Sequence, residues 1–535
     1  MYNIICDIIH NGGSAMKLNY KRTIWVGFAF FLILAFWQIY DVTVQMTLSS
    51  KFGLSQMASG GVMAMDNILA LFLLPLFGKI SDRHKGKNGR RTPFIRTGTI
   101  MAVVFLMALS IVDFAQLKRI EDYSAVNNPV TMERIYDEQK DTVLKTPEGK
   151  EYTLSQVYTR EEFAQITTET TETETNLFGR QVEYKPYARY VVPARQACAA
   201  AVTKQNPTVL FIYLGVLLLL LISMAVFRTP AVALMPDVTL KPLRSKANAV
   251  INLMGNAGAI IVLGIGSVLA ISKVKNAYMN YMAVYGIVGC IMLGALMIFL
   301  AKVKEPAWAD EMQKKSIELA LVDKDEDKSG RKKLSKAELK SMLFLMASII
   351  FWFFGYNAVT SKYAVYAQDV LDKDATTTLL LANLAAIVAY LPVGFVASKV
   401  GRKKTILAGI VMLFTAFLLG CFMTASAPDW LMTFMFCLAG VGWATINVNS
   451  FPMAVEMCSG SDVGKYTGYY YTASMAAQSL TPWIAGFFMD KIAKMSLFPY
   501  ASIFVALAFV TMLFVKHGDT KPEGKKGLEA LDVED

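Results

Sequence analysis

The chain has 535 residues, 54% of them hydrophobic and only 18% charged. A soluble domain carries about a quarter charged residues, so this composition excludes a soluble enzyme and points to the lipid bilayer. The net charge of +11 would suggest nucleic acid as a partner in a soluble chain; here it follows from Lys and Arg gathered in loops on one side of a membrane, so lipid is the expected partner and nucleic acid is not.

In chain order, apolar runs near 20 residues long predict twelve spans. They are Trp25–Met46, Gly60–Gly78, Pro93–Phe114, Val209–Met235, Ala247–Ile271, Tyr281–Leu300, Leu339–Thr360, Thr377–Val396, Thr405–Thr424, Trp430–Phe451, Thr467–Met489 and Pro499–Val515. A polar stretch at 115–206 separates spans 3 and 4, and a charged linker separates spans 6 and 7. Residues 1–15 show no signal-peptide pattern, and Met16 reads as the more natural start. The six cysteines have no metal-like or disulfide-like spacing.

The short loops set the orientation. The 2–3 loop holds Lys79, Arg83, Lys85, Lys87, Arg90 and Arg91; the 4–5 loop Lys241, Arg244 and Lys246; the 8–9 loop Lys399, Arg402, Lys403 and Lys404. The opposite loops are poor in such residues, with Lys51, Lys273 and Lys275 as examples. Both termini and the linker are therefore expected in the cytoplasm, with 115–206 outside, and the plasma membrane is the expected location.

The chain repeats itself. Span 2 ends Leu74-Pro75 and leads to Gly89-Arg90-Arg91, as span 8 ends Leu391-Pro392 and leads to Gly401-Arg402-Lys403. Pro230 to Met235 and Pro452 to Met457 share their spacing. The first pair of prolines lies about 155 residues apart and the second about 60, and the excess matches the 115–206 stretch. The expected organisation is a cytoplasmic N-terminus (1–22), an N-terminal six-helix half (23–301) carrying the insertion, a linker (302–338), a second six-helix half (339–516) and a cytoplasmic tail (517–535). Such paired halves place a solute site between them at mid-membrane.

The 2–3 loop carries the most specific motif: Gly78-Lys-Ile-Ser81-Asp82-Arg83, a basic spacer, then Gly89-Arg90-Arg91-Thr92-Pro93-Phe94. It resembles the signature of major facilitator transporters, and its spaced form resembles the glycoside–pentoside–hexuronide:cation symporters and the sucrose/proton transporters. That resemblance implies an all-α fold of twelve helices and cation-coupled sugar uptake. The acidic residue that plant sucrose transporters place before the proline of span 4 falls near Leu221 here, so sucrose and that coupling residue do not carry over. Asp82, with Arg83, Arg90, Arg91 and Arg402, is the expected conformational gate, the alternative being that the arginines only anchor the topology.

Charges inside spans are costly and usually face a cavity or a partner. Asp66 and then Asp41 are the expected coupling carboxylates, with Arg228 able to pair with either; the alternative is a static helix–helix contact. Glu456, near the cytoplasmic edge, is expected to be structural. A neutral polyol needs many donors and acceptors and flat apolar faces. Asn67, Asn252, Asn256, Tyr356, Asn357, Asn447, Tyr470 and Gln478 supply them, against the alternative that they are interhelical glue. The Asp325 to Gly330 run imitates the start of a calcium loop, but Lys336 stands where its last ligand should be. No Walker motif is present, so no ATP-driven step and no cofactor is expected. The expected function is alternating-access uptake of a sugar or glycoside coupled to a proton, or else to sodium. The alternatives are proton-coupled export of another small solute, or a membrane solute sensor.

Overall fold

The computed structural model describes residues 18–175, 181–240, 243–318, 336–456 and 463–517. Twelve long helices are labelled here in chain order. The first half comprises α1 (Tyr20–Met46), α2 (Gln56–Arg83), α3 (Thr92–Arg119), α4 (Thr208–Asp237), α5 (Arg244–Val268) and α6 (Met282–Lys302). The second comprises α7 (Lys336–Tyr366), α8 (Ala375–Val400), α9 (Arg402–Gly420), α10 (Asp429–Glu456), α11 (Val463–Lys491) and α12 (Leu497–Leu513). Among the described residues, ten of them contain a stretch long and apolar enough to cross a membrane. The other two are α8, apolar over Ala375–Tyr390 and continuing in sequence through the apolar Leu391-Pro-Val-Gly-Phe-Val396, and α11, whose tyrosines, serines and threonines dilute its apolar character.

The halves repeat in packing as well as in sequence. In the first, α1 packs on α5 and α6, α3 on α4 and α6, and α2 on α4; in the second, α7 packs on α11 and α12, α9 on α10 and α12, and α8 on α10. Even the ends correspond: α1 continues as a π turn over Thr47–Lys51, and α7 as one over Ala367–Leu371. The halves meet where α2 crosses α11, where α5 crosses α8 and where α1 faces α7. At the first crossing the backbones touch. A Cβ on Gly60 would stand 2.1 Å from the carbonyl oxygen of Pro482, and one on Gly486 2.1 Å from that of Gln56.

Residues 115–119 of the expected insertion continue α3 instead, and the described residues of the rest, up to 206, form a folded cap. Helices Pro129–Gln139 and Val192–Gln205 and two antiparallel ribbons, Leu144–Lys145 with Glu151–Tyr152 and Glu172–Thr175 with Gln181–Tyr184, enclose a core of its own. Ile135, Leu154, Phe163, Val191 and Cys198 fill that core, joined by Val274 from the loop after α5. The end of the bundle that carries it is called the insertion end; the opposite one, where helix Glu305–Glu318 follows α6, is the linker end.

Residues 1–15, the Asp325 to Gly330 run and the side chain of Glu456 lie outside the described residues. Lys51 departs from the loop position expected of it. It is fully buried, donating to Asp113 Oδ2 at 2.6 Å and to the Met279 carbonyl at 2.8 Å, with its ammonium 3.9 Å from the centre of the Tyr281 ring. A charge at the end of an apolar run reads as a loop, but a partner on the neighbouring helix draws it inside.

Candidate functional site

Between the halves lies a cavity of about 240 Å³. Gln38 and Asp41 enter it from α1, Asn256 from α5, Tyr356 and Thr360 from α7, Asn383 and Tyr390 from α8, and Trp443 from α10. The sequence places these groups by helical spacing: Tyr356 and Thr360 lie one turn apart on one face, as do Gln38 and Asp41 within three residues. Tyr356 stacks face to face on Trp443, with 3.7 Å between centroids and 3° between planes, and Phe353 meets the indole edge-on. This builds a flat apolar wall opposite amides and a carboxylate. Asp41 is exposed to the cavity. Asn383 donates to the Leu379 carbonyl at 2.9 Å, leaving its amide oxygen for a ligand.

A charged cluster adjoins the cavity inside the first half. Asp66 Oδ1 accepts from Asn67 twice, at 2.6 Å from the backbone N–H and 2.9 Å from Nδ2. Arg228 lies 5.6 Å over the Trp37 ring and is an electrostatic neighbour of Asp66, which in turn is one of Asp41. The Tyr40 hydroxyl, buried without a hydrogen-bond partner among the described residues, feels both carboxylates.

The predicted polar set therefore divides. Asp41, Asn256 and Tyr356 line the cavity. Asp66, Asn67, Asn252, Asn357, Asn447, Tyr470 and Gln478 lie outside this lining. Asn357 Nδ2 is buried and has no hydrogen-bond partner among the described residues. The Tyr470 hydroxyl meets Ser450 Oγ at 3.0 Å, and that hydroxyl also reaches the Asn447 carbonyl, an interhelical tie between α10 and α11. Gln38, Thr360, Asn383 and Tyr390 were not singled out from sequence; membership of the lining depends on which helix face turns inward, which hydropathy alone does not report.

At the linker end, Arg91 is buried and donates to Asp82 Oδ1 at 2.5 Å, Ser81 Oγ at 2.5 Å and Asp237 Oδ2 at 2.9 Å. Arg90 joins it, donating to Asp237 at 2.6 and 3.1 Å. Glu305 reaches back from the linker helix, accepting from the N–H groups of Arg90 and Arg91 at 2.8 Å and from both N–H and hydroxyl of Thr92 at 2.7 Å. It thereby caps α3, the place where a helix favours an anion. Gly89, at φ +95°, lets the loop pass, and a Cβ there would stand 2.4 Å from that carboxylate. These contacts brace the first half and its linker. Arg83 is exposed, and Arg402 is buried at the start of α9.

Among the described residues, a polar seam between the halves lies at the insertion end, and it was not foreseen. Lys362 of α7, fully buried, donates to the Gln56 carbonyl at 2.6 Å and to Ser59 Oγ at 3.2 Å. Asp490 of α11 accepts from the N–H groups of Gln56 and Met57 at 2.8 and 2.7 Å. Ser50 donates to Gln368 at 3.3 Å, and Ser272 pairs with Asp374 and Ser267 with Thr377.

Solved structures share this architecture. The xylose transporter XylE from E. coli, inward open, covers 95% of this chain and is covered over 98% of its own, at TM-score 0.55 and 14% identity. A bacterial homologue of the iron transporter ferroportin, inward facing, matches over 93% and 99% at TM-score 0.57 and 10% identity. The nucleoside transporter NupG, as a mutant, matches over 92% and 100% at TM-score 0.51 and 13% identity. At such identities the likeness is one of fold. No curated protein matches the sequence. The sequence profile of the Major Facilitator Superfamily matches residues 194–389 and 375–532. With two packed six-helix repeats and a polar cavity between them, the chain is a membrane protein that belongs to the Major Facilitator Superfamily.

Proposed function

We propose that this chain takes up a sugar or glycoside together with a cation, a proton or else sodium, by alternating access. The observation that carries the reading is the make-up of the central cavity. Gln38, Asn256, Asn383 and Thr360 offer donors and acceptors to ring hydroxyls, and the stacked Tyr356–Trp443 pair offers a flat face for the sugar's C–H groups. The fold alone selects no solute, since similar structures are named for xylose, nucleosides and iron.

Asp66 and Asp41 are the coupling groups in this reading. A cation neutralising this pair removes the repulsion between two carboxylates in a poorly solvated site and frees Arg228 from Asp66. Loading and solute binding then favour the same arrangement of the halves, which is what coupling requires. Asn67 holds Asp66 in place. Asn252, Asn357, Asn447, Tyr470 and Gln478 serve the other arrangement of the halves or tie helices together. Asp82, Arg83, Arg90, Arg91 and Arg402 steady the linker end, which we assign to the cytoplasm with both termini, in the plasma membrane.

The test is proton uptake by proteoliposomes offered a panel of sugars and glycosides, with Asp66→Asn beside the parent. Alkalinisation outside with one sugar, lost in the variant, supports the reading. Sugar flux without proton movement but with a sodium requirement moves the coupling to sodium. No flux with any sugar overturns the sugar reading in favour of export of another solute.

A further inference from the structure

The cap belongs by sequence to the first half and is moored there. Arg119 at the end of α3 donates to the Asn206 carbonyl at 2.9 Å, Gln116 meets Thr203 at 3.3 Å, and Arg195 lies 5.4 Å from the ring of Tyr278. Yet it also grips the second half. Asp369, fully buried in the π turn that ends α7, pairs with Lys494 from the loop after α11 at 2.7 Å. Gln196 of the cap inserts its amide between them: Nε2 donates to Asp369 at 2.8 Å and Oε1 accepts from Lys494 at 3.0 Å. Lys185 of the cap pairs with Asp372, and the Met495 N–H donates to the Pro147 carbonyl at 3.1 Å.

We infer that the cap that follows α3 is a clasp: it holds the two halves together at the insertion end and sets how often that end opens. The inference rests on the alternating-access reading above. The geometry requires the effect, because the cap moves with one half while Asp369, Asp372, Lys494 and Met495 move with the other. Any rotation that opens this end breaks the Gln196 and Lys185 contacts together. The Asp369–Lys494 pair, in contrast, stays whole, since both members lie in the second half. Gln196 thus reads a preformed ion pair with both ends of its amide, a geometry that rewards one docking position only.

The experiment uses the full chain in proteoliposomes, with the six native cysteines changed to serine and Thr360→Cys placed in the central cavity. A membrane-impermeant maleimide is added from the insertion end, and labelling is timed in the parent, in Gln196→Leu/Lys185→Ala and in Asp490→Ala. Gln196→Leu leaves the Asp369–Lys494 pair intact, so the second half keeps its own contacts. Labelling on the order of tenfold faster in the clasp variant than in the parent, at an unchanged unfolding temperature, is expected. Equal rates in parent and clasp variant, with faster labelling in Asp490→Ala, overturn the clasp and leave alternating access standing. No labelling in any of the three overturns alternating access and the clasp with it. A lowered unfolding temperature accompanying the faster labelling also overturns the clasp, since the cap would then be only a stabilising domain.

Discussion

Lys362 and Asp490, on different helices of the second half, hold the same residue of the first: Lys362 donates to the carbonyl of Gln56 and Asp490 accepts from its N–H. The start of α2 is thereby gripped by a cation and an anion at once. The two are unequal. Asp490 is half-buried and sits where the helix terminus favours negative charge. Lys362 is fully buried, its contacts here are neutral oxygens, and Asp490 is its electrostatic partner.

The inequality orders three variants. Asp490→Ala removes the acceptor for the Gln56 and Met57 N–H groups at the start of α2 and leaves Lys362 buried without its counter-charge, so it weakens the closed insertion end by about 2–4 kcal/mol. Lys362→Met fills the same space and leaves Asp490 capping, for about 1 kcal/mol. The double variant therefore opens less readily than Asp490→Ala alone. Timed labelling of Thr360→Cys measures the order, and a double variant that opens more readily than either single one would contradict it.

Glu305 gives a second prediction. It is buried and accepts four hydrogen bonds at the start of α3. Glu305→Ala orphans three N–H groups and is expected to cost about 2 kcal/mol, and Glu305→Gln, which keeps an acceptor but loses the charge, about 1 kcal/mol. Gly89→Ala, strained by its positive φ and by the carboxylate it would meet, should match Glu305→Ala. Thermal unfolding ranks the three, and protease sensitivity of Glu305–Glu318 reports release of the linker helix.

The twelve-helix repeat was legible because long apolar runs and paired Leu-Pro signals survive without any structure. The ends of helices were not. Hydropathy ends the first span at Met46 and the seventh at Thr360, whereas α1 with its π turn continues to Lys51 and α7 with its own to Leu371. The extra turns carry Lys51, Lys362, Gln368 and Asp369, all buried. Each reads as loop because it is polar, yet each is covered by the other half, the cap or a helix partner, which no local window contains. Asp41 was legible as an isolated carboxylate in an apolar run. Asn383 and Gln38 were not, since a lone amide in such a run looks the same whether it faces a cavity or a neighbour.

The cap supplies a pH dependence. The hydrogen bonds from Arg189, at 2.8 and 2.9 Å, hold the Glu174 carboxyl below its ordinary pKa. A lowered folded-state pKa contributes stability that is present above the unfolded value near 4.5 and is lost as pH falls through the folded one. The ribbon Glu172–Thr175 with Gln181–Tyr184 should therefore loosen in acid, seen as lower amide protection, measured against the intrinsic exchange rate at each pH, at low pH than at neutral pH. Glu174→Gln should show the lower protection already at neutral pH, with less further loss of protection on acidification.

In the cavity, under the uptake reading, Asn383→Leu removes a polar partner and keeps the volume. It should raise KM about five- to tenfold with kcat little changed. Trp443→Ala removes the stacked wall and should cost more, about 2 kcal/mol in kcat/KM. Asp41→Asn should abolish concentrative uptake while solute exchange across the membrane survives, because exchange needs the cavity and not the cation. Loss of exchange as well would make Asp41 a solute ligand instead of a coupling group.

The crossing of α2 and α11 offers the sharpest steric test. Gly60 and Gly486 let the two backbones touch, and a methyl group at either would meet a carbonyl oxygen of the other helix at 2.1 Å. Those carbonyls belong to helix backbones and cannot turn aside, so Gly60→Ala or Gly486→Ala must hold the helices apart at the insertion end. Gly61→Ala, one residue on, would meet only Trp483 Cδ1 at 3.5 Å, an ordinary contact, and is the matched control. The expected result is rapid labelling of Thr360→Cys and little transport in Gly60→Ala and Gly486→Ala, with parental behaviour in Gly61→Ala. Normal transport in all three would mean that the halves never need to approach this closely during the cycle.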